Sequence, residues 1–461
     1  MKRGSPGGGI RGEEAPNGAV LHSIAGPRGS ELSRWLDRTS RPYGVLSPLV
    51  GPFSAPIARV SGPEVLLEQA ARSLPEGGAR PEAIAVRLRR TGVELSWGVP
   101  EELPGTAAFM RWCYARGASS IELVRADKSL LTELQLGAFF HAYWRRRVVR
   151  RAACRVVLLE QLIRRPGRLL GIASDVAFWL GVRSVATDIE WERLTRSSYI
   201  VLYYHGIKDE AEPEQQHLYT RPRRFSAQLR WLRLFGFRAL SPDELLSFHA
   251  DPGGTLPPRS FVIAADDGFR NTVQVFRRHV QLHPQVFVNT SAVGGTASWA
   301  HEAPLAAWHE LEEFNAAGGV VASHGRGHPV MPELEPEALV GELAGSLADL
   351  EKHLDEVPGL LAYPYGYHDE RVRAAAASAG YRAAFTTEPG RNGAGTDPFC
   401  LRRLGVLDWD GAAAILWKAL TGELLPSAWE RWRRRRRADR LARRERPRRG
   451  CFAEHRTGAG C

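Results

Sequence analysis

The sequence predicts an α/β protein built on a parallel sheet, with a smaller mixed α/β and helical region ahead of it and a basic tail behind. Two observations lead there. From Ser198 onward short apolar segments alternate with longer amphipathic ones, the rhythm of βα units in a sheet that is open or closed into a barrel. The residues best suited to chemistry also fall where the apolar segments end, the carboxyl edge at which such sheets carry their sites.

The elements follow in order. Residues 1–40 are rich in Gly, Ser, Pro and charge, a composition of poorly ordered chain. Residues 44–195 read first as mixed α/β, with a helix at Pro81–Arg90, a strand at Gly92–Trp97 and a helix at Thr106–Arg116. From Leu130 to Leu180 the chain turns helical and basic. Val149, Ala152, Ala153, Val156, Val157 and Leu159 lie among arginines at near-helical spacing, and Pro166-Gly167 ends the run. Residues 199–422 form the βα region. Strands are expected at Tyr199–Tyr204, Arg238–Leu240, Ser260–Ala265, Val286–Thr290, Gly319–Ser323, Leu361–Tyr363 and Ala383–Thr386. Helices are expected at Pro222–Phe235, Pro242–Phe248, Gly268–His279, Trp308–Ala317, Glu335–Glu356 and Asp369–Ala379. Residues 427–461 are an Arg-rich tail.

Composition excludes several classes. The chain has 461 residues, 44% of them hydrophobic and 25% charged, ample for a buried core. The net charge of +11 is local. Twelve arginines between Trp429 and Arg449 face three acidic residues, and nine between Arg145 and Arg168 face only Glu160, so the remainder is mildly acidic. The five cysteines (Cys113, Cys154, Cys400, Cys451, Cys461) form no Cys-x-x-Cys pair, which argues against a disulfide framework or a thiolate zinc site. The first residues lack the apolar core of a signal peptide, and no apolar run reaches the ~20 residues of a spanning helix. The expectation is a cytoplasmic protein, peripheral at most to the inner face of the membrane.

Four strand ends carry the chemistry. Ala264-Ala265-Asp266-Asp267-Gly268 places adjacent carboxylates at a buried strand end, a costly arrangement without a cation or a proton. His324-Gly325-Arg326-Gly327-His328 holds two histidines that a glycine-containing loop can turn onto one metal. Ala362-Tyr363-Pro364-Tyr365-Gly366 is a rigid aromatic turn, and Tyr203-Tyr204-His205-Gly206 runs a strand out into a histidine. Each alone reads more readily as a turn or a structural histidine. Together, one Asp and two His make a three-ligand catalytic metal site, and the second Asp and third His supply a base and an acid.

The order YHG…DDG…HxxxH…YPYG resembles the polysaccharide deacetylases of carbohydrate esterase family 4, over residues 199–409. It is most similar to the branch whose domain begins with a strand ending in Tyr-His. The resemblance implies a distorted (β/α) barrel, usually of fewer than eight repeats. It implies a hydrolase that removes N-acetyl groups from N-acetylhexosamine units of a glycan or lipid-linked sugar. One divalent ion is expected, zinc first, with cobalt, nickel or manganese as alternatives. By the same resemblance Asp267, His324 and His328 hold the metal, Asp266 is the general base, and His205 protonates the departing amine. The backbone N–H of Tyr365, set by Pro364, would stabilise the oxyanion, and Trp409 would wall the sugar pocket. Three departures stand out: Ala264-Ala265 where Thr-Phe is usual, Ala362 where many relatives have a base-orienting arginine, and Gly325 where a hydroxyl residue often follows the first histidine.

A shorter stretch, RLRRTGVELSW followed by AAFMRWCYARGAS, is similar to the closing part of family-two glycosyltransferases. The nucleotide-sugar-binding Asp-x-Asp is missing, because Asp37 is the only aspartate before Asp127, so a non-catalytic remnant or a small packing module is expected. Two further functional readings stay open: a weakened relative that binds glycan without turnover, and a membrane-surface scaffold acting through its basic segments. Specific nucleic-acid binding is not expected, since no base-reading motif occurs.

Overall fold

The computed structural model describes residues 106–153, 170–209, 218–251, 253–297 and 302–425, with four short strands ahead of them. Those strands pair antiparallel: Gly12–Glu14 with Val20–His22, and Ile57–Ser61 with Glu94–Trp97. The first pair lies within the stretch expected to be poorly ordered. The expected helix at Pro81–Arg90, the Pro166-Gly167 break and the Arg-rich tail lie outside the described residues.

The centre is a nine-stranded sheet. In chain order its strands are β1 (Ser198–Tyr204), β2 (Arg238–Ala239), β3 (Ser260–Ala265), β4 (Gln285–Val288), β5 (Val320–Ser323), β6 (Leu360–Ala362), β7 (Ala383–Phe385), β8 (Asn392–Gly393) and β9 (Leu404–Gly405). The spatial order is β7-β6-β5-β4-β3-β1-β8, with β9 also on β1 and β2 on the start of β3. Every pairing is parallel except β8 on β1. The two edges are joined by one segment: Leu401 bridges Phe385 of β7, and three residues later Leu404 pairs Leu202 of β1. The parallel sheet therefore curls onto itself as a distorted barrel.

The alternation along each strand explains why both faces are apolar. Tyr199, Val201, Val262, Ala264, Phe287, Ala322, Ala362 and Phe385 pack together inside, with no exposure above a trace. Their neighbours Ile200, Leu202, Phe261, Ile263, Val286 and Val321 face the surrounding helices. Those helices begin where sequence signals place them. Ser241 and Glu244 form a capping box for Pro242–Ala250, Asp369 caps Glu370–Ser378 through the Val372 N–H at 2.8 Å, and Pro222 opens Pro222–Leu234. Phe225, Gln228, Leu229 and Leu232 form the buried stripe of that last helix.

Most expected elements stand with ends moved by a residue or two. The expected strand Val286–Thr290 stops at Val288, and Thr290 opens a 3-10 turn. The expected helix Gly268–His279 is helical only over Arg270–Phe276 and continues as 3-10 turns.

The preceding region is helical: Thr106–Ala126, Trp144–Ala153, Leu170–Val185 and Asp188–Thr195. Thr106–Ala126 and Leu170–Val185 cross so closely that a Cβ on Gly117 would lie 1.9 Å from the Phe178 carbonyl oxygen, and one on Gly181 1.9 Å from that of Tyr114. In Trp144–Ala153 the apolar residues are not simply the buried ones. Arg147 and Arg150 are buried, whereas Val148 and Val149 are exposed. Arg150 holds Asp175 through two bonds of 2.7 and 2.8 Å and donates to the Phe139 carbonyl. Arg147 donates to the carbonyls of Phe140 and Thr421, which ties this region to the barrel. Bidentate partners and carbonyls make these guanidiniums tolerable inside, a pairing that helical spacing does not disclose. No described helix is long and apolar enough to cross a membrane.

Candidate metal centre and active site

Two strand ends, those of β3 and β5, bring Asp267, His324 and His328 together at the carboxyl rim. Their ligand atoms all lie within 4.8 Å of one another. Asp267 Oδ1 stands 3.8 Å from His324 Nε2 and 3.6 Å from His328 Nε2. Unusual backbone aims them: Asp267 and His328 both adopt left-handed conformations, with φ of 69° and 63°. Such strain in non-glycine residues persists only where surrounding structure over-determines it, commonly at functional sites.

The histidine tautomer follows from its support. His324 Nδ1 is 2.7 Å from the Ala362 carbonyl oxygen, which can only accept, so Nδ1 carries the proton and Nε2 presents a lone pair to the cluster. His328 is held neutral: burial, then the neighbouring His324, push its pKa down to about 3. One carboxylate and two imidazoles are the donor set of a catalytic divalent-metal site with a coordination position to spare. The residues fit a metal.

The missing hydroxyl after His324 is made up by other groups. Ser323 Oγ accepts the Gly325 N–H at 3.0 Å and the Tyr381 hydroxyl at 2.8 Å. Glu342 Oε1 accepts the N–H groups of Arg326 and Gly327, both at 2.6 Å. Gly325 has φ of 80°, a conformation that disfavours any side chain, and a Cβ there would lie 2.8 Å from Glu342 Oε1 and displace it.

Asp266 is buried beside this cluster and takes its partner from a residue the motifs do not contain. Arg403 Nη1 lies 2.6 Å from Asp266 Oδ1, and the Arg403 side chain has no solvent exposure. Its Nε donates to the Thr386 carbonyl at 2.8 Å, and its guanidinium lies 4.3 Å from the centre of the Tyr203 ring. Burial alone would raise the Asp266 pKa, but Arg403, then His324 and His205, outweigh it and hold it at about 2. The arginine absent at position 362 thus reaches the carboxylate from the segment that closes the barrel. Sequence reading missed it because Leu404–Gly405 is too short to register as a strand. The one available signal was the Arg402-Arg403 pair ahead of an apolar residue.

His205 follows β1 and is half-buried, its ring 5.8 Å from that of Tyr203. Thr272 Oγ1 donates to its carbonyl at 2.8 Å, fixing the chain at this point. Pro364 is buried and opens the aromatic turn; Tyr365 follows with φ of 59°, half-exposed, its ring 4.6 Å from that of His328. Trp409 is half-buried in the loop after β9. Its flanking aspartates are engaged elsewhere: Asp408 accepts from Arg221, at 2.8 Å for the shorter side-chain bond, and Asp410 from Lys418 at 2.6 Å. That loop is a turn between β9 and the helix Ala412–Thr421. Among the other histidines, His353 stacks on Trp308 at 4.1 Å and His279 packs edge-on to Phe225, both away from the cluster.

Residues 253–384 match the family model described as polysaccharide deacetylase. No curated protein matches the chain. Among solved structures, a Streptococcus pyogenes deacetylase, PplD, in complex with acetate is 22% identical, covering 50% of this chain and 100% of its own, with a TM-score of 0.44. IcaB from Ammonifex degensii is 23% identical, covering 48% and 97%, with a TM-score of 0.43. A de-N-acetylase from Aggregatibacter actinomycetemcomitans is 19% identical, covering 48% and 98%, with a TM-score of 0.42.

Proposed function

We propose that the polysaccharide deacetylase domain carried by this chain, a hydrolase domain, is a working metal-dependent de-N-acetylase acting on N-acetylhexosamine units. The observation that carries the reading is the Asp267, His324 and His328 cluster beside the Arg403-paired Asp266. Asp267, His324 and His328 would hold one divalent ion, zinc being the first choice for this donor set, with cobalt, nickel or manganese also compatible. When bound it would supply Lewis acidity at the amide carbonyl and make water a stronger acid.

The chain's own groups do the rest. Asp266, ionised at neutral pH, accepts a proton from the attacking water through the carboxylate that Arg403 orients. The water oxygen bonds to the acetamido carbon, and the Tyr365 N–H donates to the negative charge that grows on the carbonyl oxygen. As the C–N bond breaks, His205 delivers a proton to the departing nitrogen, leaving acetate and a free amine on the sugar. Exposed Tyr365 and half-buried Trp409 offer flat surfaces for a pyranose ring. A glycan or a lipid-linked sugar would serve as substrate. The binding-only reading rests on Ala362 and the altered motifs; against its first ground, Arg403 stands beside Asp266 as an arginine partner.

Acetate release from N-acetylglucosamine oligomers with added zinc tests the proposal, alongside Asp266→Asn and a chelated sample. Release that falls with both losses supports it. One bound metal per chain with no release from oligomers or from an N-acetylglucosaminyl lipid would refute it.

A further inference from the structure

A second site lies on the barrel rim, outside the deacetylation machinery. We propose that a cavity of about 360 Å³ between the helices Pro222–Leu234 and Ala412–Thr421 binds a phosphate or diphosphate group. Arg221, Arg223 and Arg224 line it together with Asp209, Asp410 and the Gly411-Ala412 start of the second helix. Two of the three guanidiniums are uncommitted. Arg221 is held by Asp408, but Arg223 and Arg224 have no hydrogen-bonded or ion-paired side-chain partner among the described residues. Arg224 is the more telling. It is half-buried, its Nε is sealed from solvent without an acceptor, and its Nη1 lies 3.7 Å from where a Cβ on Gly411 would be. A desolvated guanidinium lacking an acceptor is costly, and an oxyanion in the cavity would relieve it.

The backbone adds to the same field. Neither helix has a side-chain cap: Arg221 and Gly411 occupy the N-cap positions, and neither accepts from the first turn with its side chain. Both helix starts therefore bring positive dipole ends to one cavity. The carboxylates do not cancel this. Asp410 is buried and committed to Lys418 Nζ at 2.6 Å and the Leu407 N–H at 2.9 Å. Among the described residues Asp209 alone opposes Arg223 and Arg224, and it is exposed.

The cavity also adjoins the reaction. Asp209 lies four residues beyond His205, and Arg221 follows Thr220, whose strand pairs with Gly206–Ile207 directly after that histidine. A sugar bound for deacetylation could thus carry its phosphate into the arginines, an extension that rests on the deacetylase reading. Free phosphate or pyrophosphate has the same chemistry.

Calorimetric titration of the full chain with pyrophosphate and with inorganic phosphate tests the site without any turnover. Wild type should bind at one site that the combined Arg223→Ala and Arg224→Ala changes weaken about tenfold or more. Asp209→Asn should tighten it. No binding by wild type, or equal affinity in wild type and the doubly substituted chain, would overturn the proposal. Acetate release then separates the sources. For a substrate-borne phosphate, the double substitution raises KM for N-acetylglucosamine 1-phosphate and leaves the unphosphorylated oligomer unchanged. For a free ligand, added pyrophosphate alters oligomer kinetics in wild type and not in the double variant. Binding with no acetate release from any sugar would leave this site standing while removing the deacetylase reading.

Discussion

Replacing Arg403 with methionine should unfold the domain more readily and also move the base. Arg403 has no solvent exposure, and Asp266 depends on it for a 2.6 Å ion pair. Removing one member of a buried pair leaves the other charged and unpaired, a loss of about 3–5 kcal/mol. In a domain of this size that corresponds to a fall in Tm of roughly 10 °C or more. The pH dependence should change sign. In the wild type Asp266 is held at about 2, below its ordinary value of 3.8, so its stabilising contribution is complete above that value and fades as pH falls toward 2. With Arg403 gone, burial is the main influence and raises the pKa, so the folded state binds the proton more tightly than the unfolded one and acidification stabilises the variant relative to neutral pH. Urea unfolding across pH, for Arg403→Met, Asp266→Asn and the pair together, measures each part. The double variant should cost clearly less than the sum of the singles, because it leaves no lone buried charge. The acid limb of acetate release should also move to higher pH in Arg403→Met. A single-variant Tm within about 2 °C of wild type, or strictly additive losses, would refute the reasoning.

Two further outcomes are expected. His205→Ala should lower kcat for acetate release by ~10²–10⁴-fold while the bound metal per chain, measured by elemental analysis, stays unchanged; loss of the metal would instead place His205 among the ligands. His249 lies 2.9 Å from the Tyr199 hydroxyl, and burial, with Arg193 assisting, pushes its pKa down to about 4. Its stabilising contribution is therefore complete above the ordinary value of 6.5 and lost as pH falls toward 4, so His249→Phe should flatten the stability curve in that window when unfolding is followed by circular dichroism.

The sequence by itself determined the local grammar of the barrel and which side chains gather at its rim. Apolar runs such as Ser260–Ala265, buried throughout in the structure, read as parallel strands because both faces are covered. The site was legible because each of its groups sits at the end of such a run, so strand position alone sets Asp267, His324 and the Tyr365 turn on one rim. What only the tertiary structure decided are contacts that no local pattern encodes. Arg403 reaches Asp266 from 137 residues away, through a two-residue strand whose identity comes from pairing with β1 rather than from its own composition. Arg147 and Arg150 are interior because Asp175 and main-chain carbonyls meet them there, against the periodicity of their own helix. Helical spacing and strand alternation report which residues share a face; which charge meets which partner is set by distant segments packing together, where the cost of burying an ion is settled pair by pair.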